Sequence, residues 1–231
     1  VSVTFESGKI YGLIGKNGSG KSVFLKLLCS FYIPDSGTIR QDGYDYIKNN
    51  DFPKDTRAFI ETPNFISDMT GFENLKNLAK IQNKITDKEI LDTLEDVCLL
   101  QEKDKSYDNY SLGMKQKLGI AQVLMENPRF IILDEPFNGI DEESVKKIKT
   151  LIKKLKKEDK LIIITSHIKE DILDLADEVY RFDSGVLTKS ENETLNREQR
   201  AINAQNNNAD LLVSFHINSN DSSSRLSGAE V

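Results

Sequence analysis

Gly15-Lys16-Asn17-Gly18-Ser19-Gly20-Lys21-Ser22 is the stretch that decides the fold. It fits the pattern G-x-x-x-x-G-K-[ST]. Before it, Lys9 to Ile14 (KIYGLI) reads as a short buried strand; after it, Val23 to Leu28 (VFLKLL) reads as the start of a helix. In that setting the glycines let backbone N–H groups turn inward and cradle phosphate oxygens. The helix that follows adds its positive N-terminal end. Lys21 can then reach the outer phosphates, and the Ser22 hydroxyl can ligate Mg²⁺. A plain glycine turn is the alternative, and the full motif between a strand and a helix argues against it.

Working outward, Val1 to Phe5 (VSVTF) alternates as a strand, and Ser7-Gly8 turns into the next. The chain opens inside a sheet without a starting Met, so further sequence upstream is expected. Downstream, Pro34-Asp35-Ser36-Gly37 is a turn, Thr38 to Arg40 a short strand and Asp42-Gly43 a second turn. Arg57 to Ile60 reads as a strand leading into Glu61-Thr62-Pro63. From Asn64 to Glu126 the pattern is helical. Apolar residues recur over Gly71 to Ile81, Thr86-Asp87-Lys88-Glu89 forms a capping box, and Ser111 can cap a helix running to about Met125.

Phe130 to Leu133 (FIIL) and Leu161 to Ile164 (LIII) are fully apolar strands. The first ends in Asp134-Glu135 and the second in Thr165-Ser166-His167. Between them Asp141 caps an amphipathic helix to about Lys157, whose lysine face reads most simply as solvated surface. Ile168 to Leu175 is a helix, Glu178 to Phe182 an edge strand, and Asp183-Ser184-Gly185 a turn into Val186-Leu187. Apolar strands alternating with helices predict a mainly parallel sheet covered on both faces. Such sheets bind ligands beyond their strands' carboxyl ends. The phosphate loop, Asp134-Glu135 and His167 each follow an apolar strand directly, which packing alone does not explain.

Composition narrows the classes. At net charge −6 nothing in the bulk charge asks for a nucleic-acid partner. Cys29 and Cys98 sit among apolar residues and read as reduced thiols of a cytosolic protein. No apolar run approaches a membrane span, so direct membrane insertion is not expected.

Phe130 to Glu135 reads as a Walker B strand: Asp134 can hold Mg²⁺ and Glu135 can polarise an attacking water. Two acids capping a turn are the alternative. Tyr110-Ser111-Leu112-Gly113-Met114-Lys115-Gln116 then resembles the signature motif of ABC-type ATPases, with Leu112 where that family usually has a glycine. The resemblance covers about residues 1–186. It implies an α/β, RecA-like phosphate-loop core, an inserted helical subdomain over about 63–125, an incomplete antiparallel subdomain and an appended non-core tail. It also implies ATP and Mg²⁺ as cofactors, and a second such domain as partner in a homo- or heterodimer. Ser111 and Gly113 of one copy would contact the γ-phosphate bound by the other. His167 matches the family's switch histidine. Asp141 matches the loop that couples the two halves, a role compatible with capping its helix.

Glu61 stands where most of the family has a glutamine that touches Mg²⁺ and the permease. Glu61-Thr62-Pro63 resembles the bacitracin and lantibiotic branch, and a carboxylate there can still ligate Mg²⁺; a surface acid before a proline turn is the other reading. The family implies a cytoplasmic subunit, peripheral at the inner face of the membrane through permease subunits. Two alternatives stand beside it: a soluble ABC ATPase without a transporter, and a truncated or fused fragment that holds nucleotide without turnover.

Over 187–231 the composition shifts towards Asn, Glu and Gln. Leu195 to Asn203 and Ala209 to Asn218 resemble a fragment of zinc-dependent N-acetylmuramoyl-L-alanine amidases. His216 matches a zinc ligand there, but catalytic zinc needs about three protein ligands, so no amidase activity is expected. Ala209 to Ile217 reads as a strand with no partner in the ATPase core.

Overall fold

The computed structural model describes residues 2–61, 64–190 and 213–216. The central sheet is six-stranded. Its members are β2 (Lys9–Ile14), β5 (Thr56–Phe59), β6 (Phe130–Asp134), β7 (Leu161–Ser166), β8 (Glu178–Asp183) and β9 (Val186–Lys189), in the order β5-β6-β7-β2-β8-β9. Every pairing is parallel except β8–β9.

Strand periodicity explains why the apolar runs are continuous. Successive side chains point to opposite faces, and here both faces are covered. Tyr11, Leu13, Phe130, Ile132, Leu161 and Ile163 join one core, with Phe24, Leu25 and Leu28 of α1 (Lys21–Leu28). Ile10, Ile14, Ile131, Leu133, Ile162 and Ile164 join the other. That second core includes Ile148 and Ile152 of α5 (Glu142–Lys156) and Ile172 of α6 (Lys169–Leu175). It continues into the helical segment of α2 (Gly71–Gln82), α3 (Asp87–Asp96) and α4 (Leu112–Leu124), through Leu75, Leu94 and Leu118. Thr86 and Glu89 form the expected capping box, and Thr70 and Glu73 form another at the start of α2. Among the described residues no helix is long and apolar enough to cross a membrane.

Three expectations are corrected. Glu178–Asp183 is not an edge strand: it pairs with β2 on one side and β9 on the other, and β9 takes the edge. β9 runs from Val186 to Lys189. The lysine face of α5 is only in part a plain solvated surface. Lys146 and Lys147 pair along the helix with Glu142 and Glu143. Lys149, Lys153 and Lys156 reach across to Asp171, Asp174 and Asp177 at 2.8, 2.8 and 2.6 Å.

The third correction concerns the tail. A second, antiparallel sheet runs β1-β10-β3-β4, from β1 (Ser2–Phe5), β3 (Arg40–Gln41), β4 (Tyr44–Asp45) and β10 (Val213–His216). β10, read from sequence as a strand without a partner and part of a non-core tail, lies between β1 and β3. Its backbone register is Ser2↔His216, Val3↔Phe215, Thr4↔Ser214 and Phe5↔Val213, with Ser214↔Arg40 on the far side. An added strand satisfies backbone donors and acceptors that sheet edges otherwise leave unpaired. The remainder of the amidase-like stretch, 191–212 and 217–231, lies outside the described residues, as does the His216 side chain.

Candidate functional site

The parallel registers bring three strand ends level. Ile14 pairs with Ser166, and Asp134 with Thr165, so Gly15, Asp134-Glu135 and His167 emerge at the same edge of the sheet. Gly15 leaves β2 against the end of β8. A Cβ there would stand 2.5 Å from the Phe182 carbonyl oxygen and 2.7 Å from Ser19 Oγ. Gly20 at φ 112° turns the loop into α1 and caps it without a side-chain acceptor. The first amides of α1 therefore have no side-chain cap and face the loop.

Lys21 is 6% exposed and donates to the carbonyl oxygens of Gly15 (2.7 Å) and Lys16 (3.3 Å). Ser22 Oγ donates to Asp134 Oδ2 at 2.7 Å. Thr165 Oγ1 donates to the other oxygen, Asp134 Oδ1, and accepts from the Glu135 amide at 3.0 Å. Glu135 Oε2 lies 2.7 Å from His167 Nδ1 and accepts the His167 amide at 3.1 Å. A carboxylate facing Nδ1 favours the tautomer with a proton there. Glu135 Oε1 stands 3.9 Å from Lys21 Nζ.

Glu135 Oε1 and Ser19 Oγ are both buried without a hydrogen-bond partner. Buried polar atoms are nearly always bonded, so two such orphans beside a phosphate-loop lysine fit a polar ligand. The oxygen donors of Ser22 and Asp134 suit a hard cation such as Mg²⁺. Glu61 is not drawn into this group. It is a non-glycine residue at φ 62°, its side chain is 68% exposed, and its carboxylate sits 2.6 Å from Lys26 Nζ. Thr62 and Pro63 lie outside the described residues.

The signature residues form a second group. Ser111 caps α4, its Oγ accepting the Met114 amide at 3.3 Å. Gly113 packs on the main chain of Gly139, and the Leu112 side chain also packs against Gly139. Lys117 donates to Asp141 Oδ2 at 2.9 Å and to Ser144 Oγ at 2.6 Å, while Asp141 Oδ1 caps α5 through the Ser144 amide at 2.9 Å. The Lys117 ammonium, followed by the Ser144 amide, holds the Asp141 carboxyl well below the usual carboxylate range. Asp141 thus caps its helix and ties it to the signature helix at once.

A Cβ on Gly113 would stand 2.3 Å from the Gly139 carbonyl oxygen. Overpacking of this kind costs about 1–3 kcal/mol. Gly113→Ala is therefore expected to lower the thermal midpoint by about 2–12 °C. An unchanged midpoint in a melt followed by circular dichroism would show that the contact is not close.

Thr165, Lys117 and Ser144 were not singled out from sequence. Thr165 reads as the polar end of an apolar strand, and Lys117 as an ordinary lysine of a helix. The available signal for Lys117 was a buried lysine's need for an acid, which Asp141 meets only through the fold.

The family described as ABC transporter matches residues 1–138. The chain is 41% identical over 191 residues to the uncharacterized ABC transporter ATP-binding protein YybJ of Bacillus subtilis (strain 168), covering 83% of this chain and 88% of that one. It is 39% identical to the bacitracin transport ATP-binding protein BcrA of Enterococcus faecalis, covering 83% of this chain and 63% of BcrA. It thus spans less than two thirds of BcrA's length. It is 33% identical to the lantibiotic transport ATP-binding protein SrtF of Streptococcus pyogenes, covering 77% of this chain and 76% of SrtF. The fold is similar to a solved structure of an ATP-binding subunit of an ABC transporter. The TM-score is 0.70 at 23% identity, covering 80% of each chain.

Proposed function

The chain belongs to the ABC transporter ATP-binding family, a family of ATPases, and from that premise we propose that it hydrolyses Mg-ATP as the nucleotide-binding subunit of a transporter exporting, or conferring resistance to, antimicrobial peptides. The observation that carries the reading is the joining of Lys21, Ser22, Asp134, Glu135 and His167 by direct contacts at one sheet edge. The peptide class rests on the names of BcrA and SrtF.

In this reading the loop amides of residues 15–22 and the Lys21 ammonium bind the β- and γ-phosphates. Ser22 and Asp134 would hold Mg²⁺, which would neutralise charge on the phosphate oxygens. Glu61 can join them only by leaving Lys26. Glu135 uses its unpartnered Oε1 to orient the attacking water, with His167 fixing the carboxylate through Oε2. Ser111 and Gly113 of a second copy or a paralogue close the site over the γ-phosphate. Asp141, tied to the signature helix through Lys117, passes the state of one half to the other. The ATPase domain comprises about residues 1–186 and the helical subdomain about 63–125. The protein works at the inner face of the membrane through permease subunits. The amidase-like stretch contributes no catalysis.

A test is phosphate release from Mg-ATP over a range of protein concentration. The rate per chain is expected to rise with concentration and then level off, as pairing completes the site. A rate per chain independent of concentration contradicts pairing. Bound ATP without phosphate release would favour the alternative of a fragment that holds nucleotide idle.

A further inference from the structure

We infer that Thr165 is a positioning residue for the hydrolytic reaction, setting both acids of the site with one hydroxyl; this rests on the hydrolysis reading above. Thr165 is fully buried near the end of β7, and the parallel register places it beside Asp134. A hydroxyl carries one donor and two acceptor lone pairs. Here the donor is committed to Asp134 Oδ1, and a lone pair takes the Glu135 amide at 3.0 Å. Both partners are consecutive acids of the proposed site, and neither bond can be made by a methyl group in the same place.

The geometry has a particular job. In a strand, successive side chains point to opposite faces. Asp134 is the last residue of β6, so a regular continuation would send Glu135 away from it. Instead Glu135 adopts φ 49°, a left-handed conformation that a non-glycine residue enters at a cost. This turn brings the Glu135 carboxylate back beside Lys21. The Thr165 hydroxyl holds the amide of that strained residue. His167, further along the same segment, holds the carboxylate through Oε2. Glu135 is thus gripped at its backbone and at its tip by one strand end.

Asp134 gains equally. Its two oxygens are divided, Oδ1 to Thr165 and Oδ2 to Ser22. Ser22 can turn a lone pair to a cation while its O–H still donates to Oδ2. Thr165, on the other oxygen, is the fixed support that keeps Oδ2 aimed at the same point. The hydroxyl therefore acts on cation placement through Asp134 and on water placement through Glu135, while touching neither phosphate nor water itself.

The test compares Thr165→Val, which keeps the branched shape, with Thr165→Ser, which keeps the hydroxyl. Turnover at saturating Mg-ATP and ATP affinity are measured, the latter in EDTA and across a Mg²⁺ series. Thr165→Val is expected to lower kcat about 10- to 100-fold, the scale of loss when reacting groups are misplaced by about 1 Å. Its ATP affinity in EDTA should stay within about threefold of wild type, while the Mg²⁺ concentration needed for tight binding rises severalfold. Thr165→Ser should recover turnover to within about threefold. The inference is overturned by a Val variant that turns over like wild type, by a Ser variant as slow as the Val one, or by equal loss of EDTA-state affinity. If wild type binds ATP but releases no phosphate, the hydrolysis reading fails alone, and the Mg²⁺ series still decides whether Thr165 sets Asp134. If wild type binds no ATP, both fail.

Discussion

Glu135→Gln is expected to release phosphate from Mg-ATP at least about 100-fold more slowly than wild type, with ATP held as tightly or more tightly. A positioned general base contributes about 10²–10⁴ in rate, and Glu135 is placed to be one. Its two oxygens have different fates. Oε2 is committed to His167, through the ring Nδ1 and the backbone amide, while Oε1 is buried without a hydrogen bond. A glutamine can still present an oxygen to the His167 amide, so the side chain keeps its place. What it loses is the anionic acceptor that would draw a proton from water. Binding should not suffer, because the substitution also removes a negative charge 3.9 Å from Lys21, on the side where phosphates would sit. Single-turnover phosphate release separates the two effects. A variant within about threefold of wild type would mean that another group activates the water.

Lys21→Ala should fail in the opposite way, losing nucleotide before it loses chemistry. The Lys21 ammonium is nearly buried and rests on two loop carbonyls, at 2.7 and 3.3 Å. Those bonds hold the cation where phosphates would arrive and shape the loop around it. Truncating one partner of a buried charged pair costs about 2–5 kcal/mol, much of it the penalty of leaving the other charge unpaired. ATP affinity is therefore expected to fall by about 30- to 5,000-fold. Titration with a fluorescent ATP analogue measures it, and a loss smaller than about tenfold would mean that the loop amides bind phosphate without the lysine. The two variants together divide the site into a binding half on α1 and a hydrolytic half on β6 and β7.

Much of this arrangement is legible in the sequence because it is local. The capping box at Thr86 and Glu89 and the cap at Asp141 each depend on spacings within one turn of chain, and each forms as read; the glycine-rich loop lies between a strand and a helix as its pattern asks. The apolar runs FIIL and LIII announce strands buried on both faces, and the polar residues that follow them mark the sheet edge where the site lies. What escaped the sequence depends on register and on side chains far apart in the chain. Thr165 can be read as the end of a strand, but its hydroxyl finds Asp134 and Glu135 only because β6 and β7 lie side by side at that register. Glu61 reads as a cation ligand by its place in the chain, yet Lys26, on a helix distant in sequence, takes its carboxylate. The lysines of α5 read as solvated until α6 supplies Asp171 and Asp174. Strand β10 reads as unpartnered because no rule of local pattern names the edges of β1 and β3 as its neighbours.

Titration calorimetry of ATP into the Glu135→Gln chain decides whether the loop, Ser22 and Asp134 make one Mg-nucleotide site, since that variant should keep its nucleotide intact. One ATP per chain is expected with Mg²⁺ present, and affinity at least about tenfold lower when the metal is chelated, because Ser22 and Asp134 then contribute nothing to the phosphates. No binding heat up to millimolar ATP, or an affinity indifferent to Mg²⁺, would contradict such a site.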